Sequence, residues 1–409
     1  MSSIGNTYII RAALALSTAA ETVMPNITAL IPLIGLACLL AGAGYGIVAV
    51  IAVAAWQRRR RQASGRQLPP VSVLKPLCGA EPGLYENLRS FCLQDFPEYE
   101  VVFGVADRRD PALAVVQRLK EEFPSLPIEV VVDPQQHGSN CKISNLINII
   151  ARARYDLLAM ADSDACVGPE YLSIVTAPLR DPAIGLVTCL YRAVPTRSIF
   201  SRLGAMYINE WYMPSVLVAW LFGYRGYVSG QTMCMRRDTL QAIGGLQSIV
   251  DHLADDHQLG DRVRALGLDI ALSSYVPDAE CHEPTLTSLT RHEVRWMRTL
   301  HVLRPRSFPF VFLSFSLPLA ALGVVLATGA QSLASLAWTL FAVALVARLA
   351  LHLFQRRGGG RSALSDLWLV PWRDSLLCWV WCKSLFTSRV TWRGIEFDVD
   401  VRGVMHRRS

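Results

Sequence analysis

The sequence predicts an α/β domain with a mostly parallel sheet, held to a membrane by apolar segments on either side of it. Three observations predict this. Between residues 70 and 305, β-rich runs alternate with helical patterns. One long apolar run, Ile27–Trp56, precedes that region, and several more follow Pro309. Of 409 residues, 52% are hydrophobic and 18% charged, which is too apolar for an ordinary soluble enzyme and is accounted for by those runs.

The segments follow in chain order. Residues 1–26 read as a leader. Tyr8 to Ala20 is short, contains Arg11 and lacks a basic n-region, so it is a surface helix or a disordered leader rather than a signal peptide. Residues 27–56 exceed the roughly 20 apolar residues that span a bilayer and form a transmembrane anchor. A basic linker, 57–69, opens on Arg58-Arg59-Arg60-Arg61 and places that end in the cytoplasm. Residues 309–353 read as a transmembrane hairpin, with spans at Phe310–Leu326 and Leu333–Leu353 and a turn at Gly329-Ala330-Gln331. Its flanks, Arg304 and Arg306 before and Arg356-Arg357 after, face the same side. Segment 367–387 carries Arg373, Asp374 and Lys383; charges at mid-bilayer are costly, so an interfacial or re-entrant helix fits best, with a full span as the alternative. Residues 388–409 form a basic tail. This arrangement puts domain 70–305 in the cytoplasm.

The net charge of +7 suits an anionic partner such as a nucleotide, a phosphate or an anionic leaflet. Nothing resembles a nucleic-acid module, so no nucleic acid is expected as a partner. The 10 cysteines are scattered without a CxxC pair and read as reduced thiols. His137, His252, His257 and His282 share no metal-ligand spacing.

Within the domain, strands are expected at Val71–Pro76, Tyr99–Ala106, Ile128–Val132 and Asp156–Ala161. Helices are expected at Leu84–Leu93, Pro111–Phe123 and Ser139–Ala153. Ligands of open α/β sheets sit beyond the carboxyl ends of strands, and Asp107 and Asp162 stand at two such ends. Residues i and i+2 of an extended segment point the same way. Asp162 and Asp164 can therefore address one point, and paired hard oxygens suit Mg2+ or Mn2+. The bland alternative is a solvated turn whose Asp caps the next helix.

Asp107, the Asp162-Ser163-Asp164 triplet, Asp256 in Leu-Ala-Asp-Asp-His-Gln-Leu-Gly, and Arg295-Trp296 follow in that order. The set resembles the D, DxD, D, (Q/R)xxRW signature of inverting GT-A glycosyltransferases, and more closely glycosyltransferase family 21, the ceramide glucosyltransferase family. Val-Val-Phe-Gly-Val-Ala-Asp107-Arg-Arg-Asp110-Pro111, Lys142-Ile-Ser-Asn145-Leu and Met235-Arg-Arg-Asp-Thr-Leu-Gln-Ala-Ile-Gly-Gly extend the likeness over roughly residues 70–300. Leu-Lys-Pro-Leu-Cys-Gly-Ala-Glu-Pro-Gly-Leu-Tyr-Glu-Asn, Val-Val-Asp-Pro-Gln-Gln-His-Gly-Ser-Asn and His292-Glu-Val-Arg-Trp look most like the bacterial hopanoid biosynthesis-associated branch. One departure stands out: His292 fills the slot where the general motif has Gln or Arg.

The resemblance implies a GT-A, Rossmann-like domain at 70–305, a UDP-sugar donor, a divalent ion and a membrane-lipid acceptor. Asp107 would bind base or ribose, and Asp162 and Asp164 would hold Mg2+ or Mn2+ against the diphosphate, with Asp162 also near the donor. Asp256 is the candidate catalytic base, and Asp255 competes with it; either could instead cap a helix. Lys142 either steadies the diphosphate or is a solvated helix-face lysine. Arg295 would contact pyrophosphate and Trp296 line a pocket, the alternative being an interfacial anchor pair; the role of His292 is left as part of the motif or of the acceptor site. The implied reaction is transfer of N-acetylglucosamine to a hopanoid polyol such as bacteriohopanetetrol, in a multi-pass protein of the bacterial inner membrane. The runner-up is transfer of glucose from UDP-glucose to ceramide. A processive polysaccharide synthase would need more helices for its pore. The 240-residue insert, roughly counted, argues against a transporter, and the intact Asp set argues against a scaffold with a dead domain.

Overall fold

A computed structural model describes residues 4–58, 69–355, 363–386, 389–392, 395–400 and 402–407. The chain divides into two units, Met1–Ile51 with Phe310–Cys378, and Ala52–Pro309 with Trp379–Ser409. In chain order the elements are α1 (Ile4–Gln57), β1 (Val71–Pro76), α2 (Leu84–Cys92), β2 (Tyr99–Val105), α3 (Ala112–Glu122), β3 (Ile128–Val132), α4 (Cys141–Ile150), β4 (Leu157–Met160), β5 (Ala165–Cys166), α5 (Tyr171–Thr176), β6 (Ile184–Thr188) and β7 (Arg192–Pro195). There follow α6 (Ile199–Tyr207), a π-helical turn Ile208–Tyr212, α7 (Met213–Leu221), β8 (Met233–Arg236), α8 (Arg237–Ala242), α9 (Asp255–Ala265), β9 (Asp269–Leu272), β10 (Asp278–Cys281) and α10 (Leu286–Leu303). The last elements are α11 (Ser316–Ala327), α12 (Gln331–Gln355), α13 (Val370–Leu385), β11 (Arg389–Trp392), β12 (Ile395–Val399) and β13 (Met405–Arg407).

The larger unit is built on a seven-stranded sheet in the order β3-β2-β1-β4-β8-β6-β9. The pairs β3/β2, β2/β1, β1/β4 and β6/β9 are parallel, and β8 runs antiparallel to both its neighbours. The sheet is therefore mostly parallel, as expected, and the fold is of the GT-A type. Alternation along β1 explains its two covered faces. Val71 and Val73 join Leu88, Phe91, Val116 and Leu119 on one side. Leu74 joins Ile143, Leu146, Ile149, Met235 and Leu259 on the other. Each such side chain contributes about 1.5–3 kcal/mol by leaving water, so the central strand is pinned from both sides. A smaller sheet, β5-β10-β7, lies in the same unit.

The expected basic tail is instead a folded element. β11, β12 and β13 form an antiparallel sheet. Phe397 and Met405 bury against Leu253. The Met405 N–H donates to the Asp251 carbonyl at 2.8 Å, and the Leu253 N–H donates to the Gly403 carbonyl at 2.9 Å. Alternation in Ile395-Glu-Phe-Asp-Val, hidden by the basic composition around it, supplies the strand.

Two helices among the described residues are long and apolar enough to cross a bilayer, Leu30–Gln57 of α1 and Gln331–Gln355. The helix of α1 runs without a break from Ile4, through the boundary expected at residue 27. Most of the expected linker, 59–68, lies outside the described residues. The span expected at Phe310–Leu326 is broken. A 3-10 stretch, Phe308–Ser314, meets α11 at 85°. Pro318 is the physical reason: its ring excludes the carbonyl four residues back, that of Ser314, from a continuing helix. The 12 residues of α11 reach only about 18 Å, short of a hydrocarbon core of about 30 Å. Gly35 and Gly323 let backbones touch, since a Cβ at Gly35 would stand 2.6 Å from the Ala327 nitrogen. One of the charges expected to trouble segment 367–387 is answered by pairing: Arg348 of α12 grips the Asp374 carboxylate with Nε at 3.1 and 3.2 Å and Nη2 at 3.0 Å, both residues being buried. The chain is thus built as a membrane protein.

Candidate active site

The carboxyl end of β4 sits at the middle of the sheet, and there the chain turns. The Ala161 N–H donates to Leu74 of β1 at 3.2 Å, and the Asp162 N–H donates to the Gly230 carbonyl at 3.2 Å. Two residues on, Asp164 enters the turn into β5. Asp162, Ser163 and Asp164 all line one cavity of about 430 Å³, so the i, i+2 spacing delivers both carboxylates to one space. Gln231 Nε2 donates to Asp164 Oδ1 at 3.0 Å. Burial raises the Asp164 carboxyl to about 6, and the neighbouring Asp162 charge adds to the rise.

Beneath that turn lies a lysine the sequence reading quoted but gave no role. Lys75 of β1 is fully buried. Its ammonium donates to the Asp162 main-chain carbonyl and lies 3.8 Å from the centroid of the Phe91 ring.

Lys142 is not a solvated helix-face lysine. It stands one residue inside α4, whose N-cap Asn140 accepts from the Ile143 N–H at 3.1 Å. Its Nζ lies 2.7 Å from Asp162 Oδ1 and 3.2 Å from Asp255 Oδ2. Burial works against the ammonium, but Asp162 and Asp255 outweigh it and hold its pKa above the ordinary lysine range. Lys142 therefore joins the DxD turn to the Asp255-Asp256 pair.

Asp255 and Asp256 open α9. Asp255 Oδ1 accepts from Asn140 Nδ2 at 3.4 Å. The Asp256 carboxylate accepts from the N–H of Gly230 at 3.2 Å and of His257 at 2.7 Å. Burial raises its carboxyl to about 6, with Asp255 adding to the rise and Lys142 opposing it. Neither residue lines the cavity; Gly230 stands between. A Cβ on Gly230 would fall 2.6 Å from Lys142 Nζ and 2.8 Å from Asp162 Oδ2, so only glycine lets the loop approach both.

α10 supplies the remaining motif. Thr285 and Ser288 form a reciprocal capping box at its start. His292 Nδ1 lies 2.7 Å from Oε1 of the buried Glu283. Trp296 stacks between His292 and Tyr207, with ring centroids at 4.6 and 5.6 Å, and both His292 and Trp296 line the cavity. Arg295 is largely buried and off the cavity lining; burial lowers its pKa, while Tyr191, Asp162, Asp255 and Glu283 draw it the other way.

The structure thus gathers Lys142, Asp162, Asp164, His292 and Trp296 around one cavity, with Asp255, Asp256 and Arg295 behind its wall. Asp107 stands apart. It is exposed beyond β2, does not line the cavity, and accepts from the Arg109 N–H at 2.8 Å, which lowers its carboxyl. Gly230, Gln231, Glu283 and Lys75 were missed as site residues. Only Lys75, a charge inside a β-run, carried a signal that could have found it.

Among the described residues, no group of three or more His, Cys, Asp or Glu could hold a metal by itself. The residues nonetheless fit a divalent ion shared with a ligand. Two hard carboxylates, Asp162 and Asp164, line the same cavity.

Ceramide glucosyltransferase 1 of Caenorhabditis elegans is 24% identical over 241 residues, 58% of this chain and 51% of that protein. The ceramide glucosyltransferase of Gibberella zeae is 26% identical over 140 residues, 32% of this chain and 26% of that protein. The chain spans about half the length, or less, of these curated relatives. A solved mannosyltransferase from Pyrobaculum calidifontis, in complex with GDP-Man and Mn2+, superposes with a TM-score of 0.54 at 20% identity, covering 87% of this chain and 99% of that one, a likeness of fold. The family description Glycosyl transferase family 21 matches residues 35–405, and the chain belongs to that family.

Proposed function

We propose that this chain is an inverting glycosyltransferase that carries a sugar from a UDP-sugar to a hydroxyl of a membrane lipid. The observation that carries the reading is the Lys142 bridge, which ties the DxD turn to Asp255 and, through Gly230, to Asp256. Donor-side carboxylates then line the cavity, and the base-side pair stands directly behind its wall, joined to them by Lys142.

In this reading Asp162 and Asp164 hold Mg2+ or Mn2+, which when bound neutralises charge on the diphosphate. Lys142 and Arg295 add positive charge beside the leaving group, and Asp107 serves the nucleoside end. The acceptor oxygen bonds to the anomeric carbon as the bond from that carbon to the phosphate oxygen breaks. UDP leaves with the electron pair, and the hydroxyl proton passes to Asp256. A carboxyl raised to about 6 suits a base working near neutrality. Asp255, tied to Asn140 and Lys142, acts as its electrostatic neighbour. Trp296 and His292 give the cavity an aromatic wall for the acceptor.

For the acceptor, the sequence likeness favours N-acetylglucosamine transfer to a hopanoid polyol. A second reading, glucose transfer to ceramide, is favoured by the names of the curated relatives. In the same reading the domain 70–305 works on the cytoplasmic side of a bacterial inner membrane, the side favoured by the basic flanks of the apolar runs. The test is the purified full chain with labelled UDP-sugars, Mn2+ and each lipid class. A labelled lipid product is expected; absence of UDP binding and of transfer with every donor would sink the enzyme reading.

A further inference from the structure

Lys75 is an unexpected residue for its place. β1 lies inside the sheet, with β2 on one side and β4 on the other. Along it, Val71 and Val73 face a cluster that includes Phe91 and Phe103, and Lys75 continues that face. Lysine is almost never fully buried without a partner, yet Lys75 has no exposed surface. Its hydrogen bond goes to main chain, the carbonyl of Asp162, and its Nζ lies over the Phe91 ring at 3.8 Å from the centroid. Burying an ammonium costs free energy, so a hydrocarbon side chain of similar length would serve packing better.

What the ammonium reaches is informative. Asp162 is where β4 stops pairing and the chain swings to present Asp162 and Asp164. The same peptide region is held from the other side by Gly230, whose carbonyl accepts from the Asp162 N–H at 3.2 Å. The Asp162 carbonyl also accepts from the Ala165 N–H at 3.3 Å, within the turn itself; Lys75 supplies the restraint on that carbonyl that comes from within the core.

We infer that Lys75 is a positioning residue that fastens the Asp162 main chain from beneath and so sets how the Asp162-Ser163-Asp164 turn meets the metal and diphosphate of a bound nucleotide. The inference rests on the proposed function for the identity of that ligand. It separates two quantities that a packing role would move together. Replacing Lys75 with Met keeps length and apolar contact while removing the donor. The fold should hold or gain in stability, while nucleotide binding weakens.

The experiment measures UDP affinity for the full chain in detergent micelles with Mn2+, the Mn2+ concentration needed for half-maximal binding, and thermal melting. The native chain, Lys75→Met and Lys75→Gln are compared. Lys75→Met should melt at or above the native temperature, bind UDP about 10-fold or more weakly and need more Mn2+, in line with residues that orient metal ligands. Lys75→Gln, which keeps a neutral donor, should recover part of the loss. Native UDP affinity in Lys75→Met would overturn the inference. Unfolding of both variants would also overturn it, because the lysine would then be needed by the core itself. A native chain that binds no UDP fails the proposed function instead, so the two failures are distinguishable.

Discussion

Lys142 Nζ lies 2.7 Å from Asp162 Oδ1, an ion pair between the first turn of α4 and the end of β4. The same ammonium reaches Asp255 at 3.2 Å, so one lysine balances carboxylates from two separate segments. Removing it leaves buried charge uncompensated, and breaking such an arrangement costs up to about 3–5 kcal/mol. Lys142→Met is expected to melt lower than the native chain and to lose UDP binding at least about 10-fold. Melting by circular dichroism and equilibrium UDP binding measure the two effects; a variant native in both would remove Lys142 from the site.

Asp256→Asn separates chemistry from stability. Loss of a general base should cut transfer by about 100- to 10,000-fold, with UDP still bound, read by single-turnover transfer beside equilibrium binding. Near-normal turnover would show that another residue takes the proton. The sign for stability follows from the raised carboxyl, about 6 against an ordinary 3.8. A carboxyl that holds its proton more tightly when folded contributes stability below about 3.8, and that contribution is lost as pH rises through about 6. Asn resembles the protonated form. The variant should therefore melt above the native chain at pH 7.5, with the gap closing near pH 4.

The pH dependence of the native reaction has the opposite direction. Asp256 must be ionised to accept a proton, and burial raises its carboxyl to about 6. Transfer measured at saturating donor and metal should fall below pH 6 with the slope of a single proton. A flat profile from pH 5 to 8 would contradict the assignment of Asp256.

Gly230→Ala tests the wall between the two aspartate pairs. The added methyl would meet Lys142 Nζ at 2.6 Å and Asp162 Oδ2 at 2.8 Å, so those side chains must shift. Both are ends of side chains, so folding should survive with a loss of about 1–3 kcal/mol, while the ion pair is pushed open. UDP binding should weaken by about 10-fold. Unchanged binding would mean that the Lys142 bridge tolerates displacement and does not hold the donor.

Much of this was legible in the chain, for physical reasons that also explain the rest. β1 to β4 are runs of β-branched and apolar residues long enough to show, and of the two aspartates at strand ends, Asp162 lines the cavity while Asp107 stands apart from it. β8 is only four residues, Met-Cys-Met-Arg, with no strand signature, so its antiparallel insertion was invisible. Hydropathy sums over Phe310–Leu326 and does not register that Pro318 breaks the helix. Asp162, Asp164 and Asp256 were readable because their types and order form a pattern. Gly230 and Gln231 were not, because a loop glycine gains meaning only from atoms brought to it by β8 and α4.

The C-terminal sheet makes the last prediction. Met405 and Gly403 bond the backbone at Asp251 and Leu253, and Ser139 Oγ donates to the Met405 carbonyl at 3.2 Å. The Ser139 N–H in turn donates to Asp251 Oδ1 at 2.8 Å, and Asn140 Nδ2 donates to the His252 carbonyl at 3.0 Å. Residues 251–253 lead directly into Asp255 and Asp256, and Ser139 and Asn140 lead into Lys142. The terminal strand therefore braces both sides of the ion pair. Phe397 is buried with Leu253 and Met405, so Phe397→Ala should loosen that brace at a local cost of about 3 kcal/mol. Hydrogen exchange at residues 250–256 and 139–143 should speed up while the amides of β1 and β2 keep their protection, and transfer should fall with UDP affinity. If exchange rises only within 395–407 and transfer is native, the sheet is an appendage and the aspartates are held by the larger sheet alone.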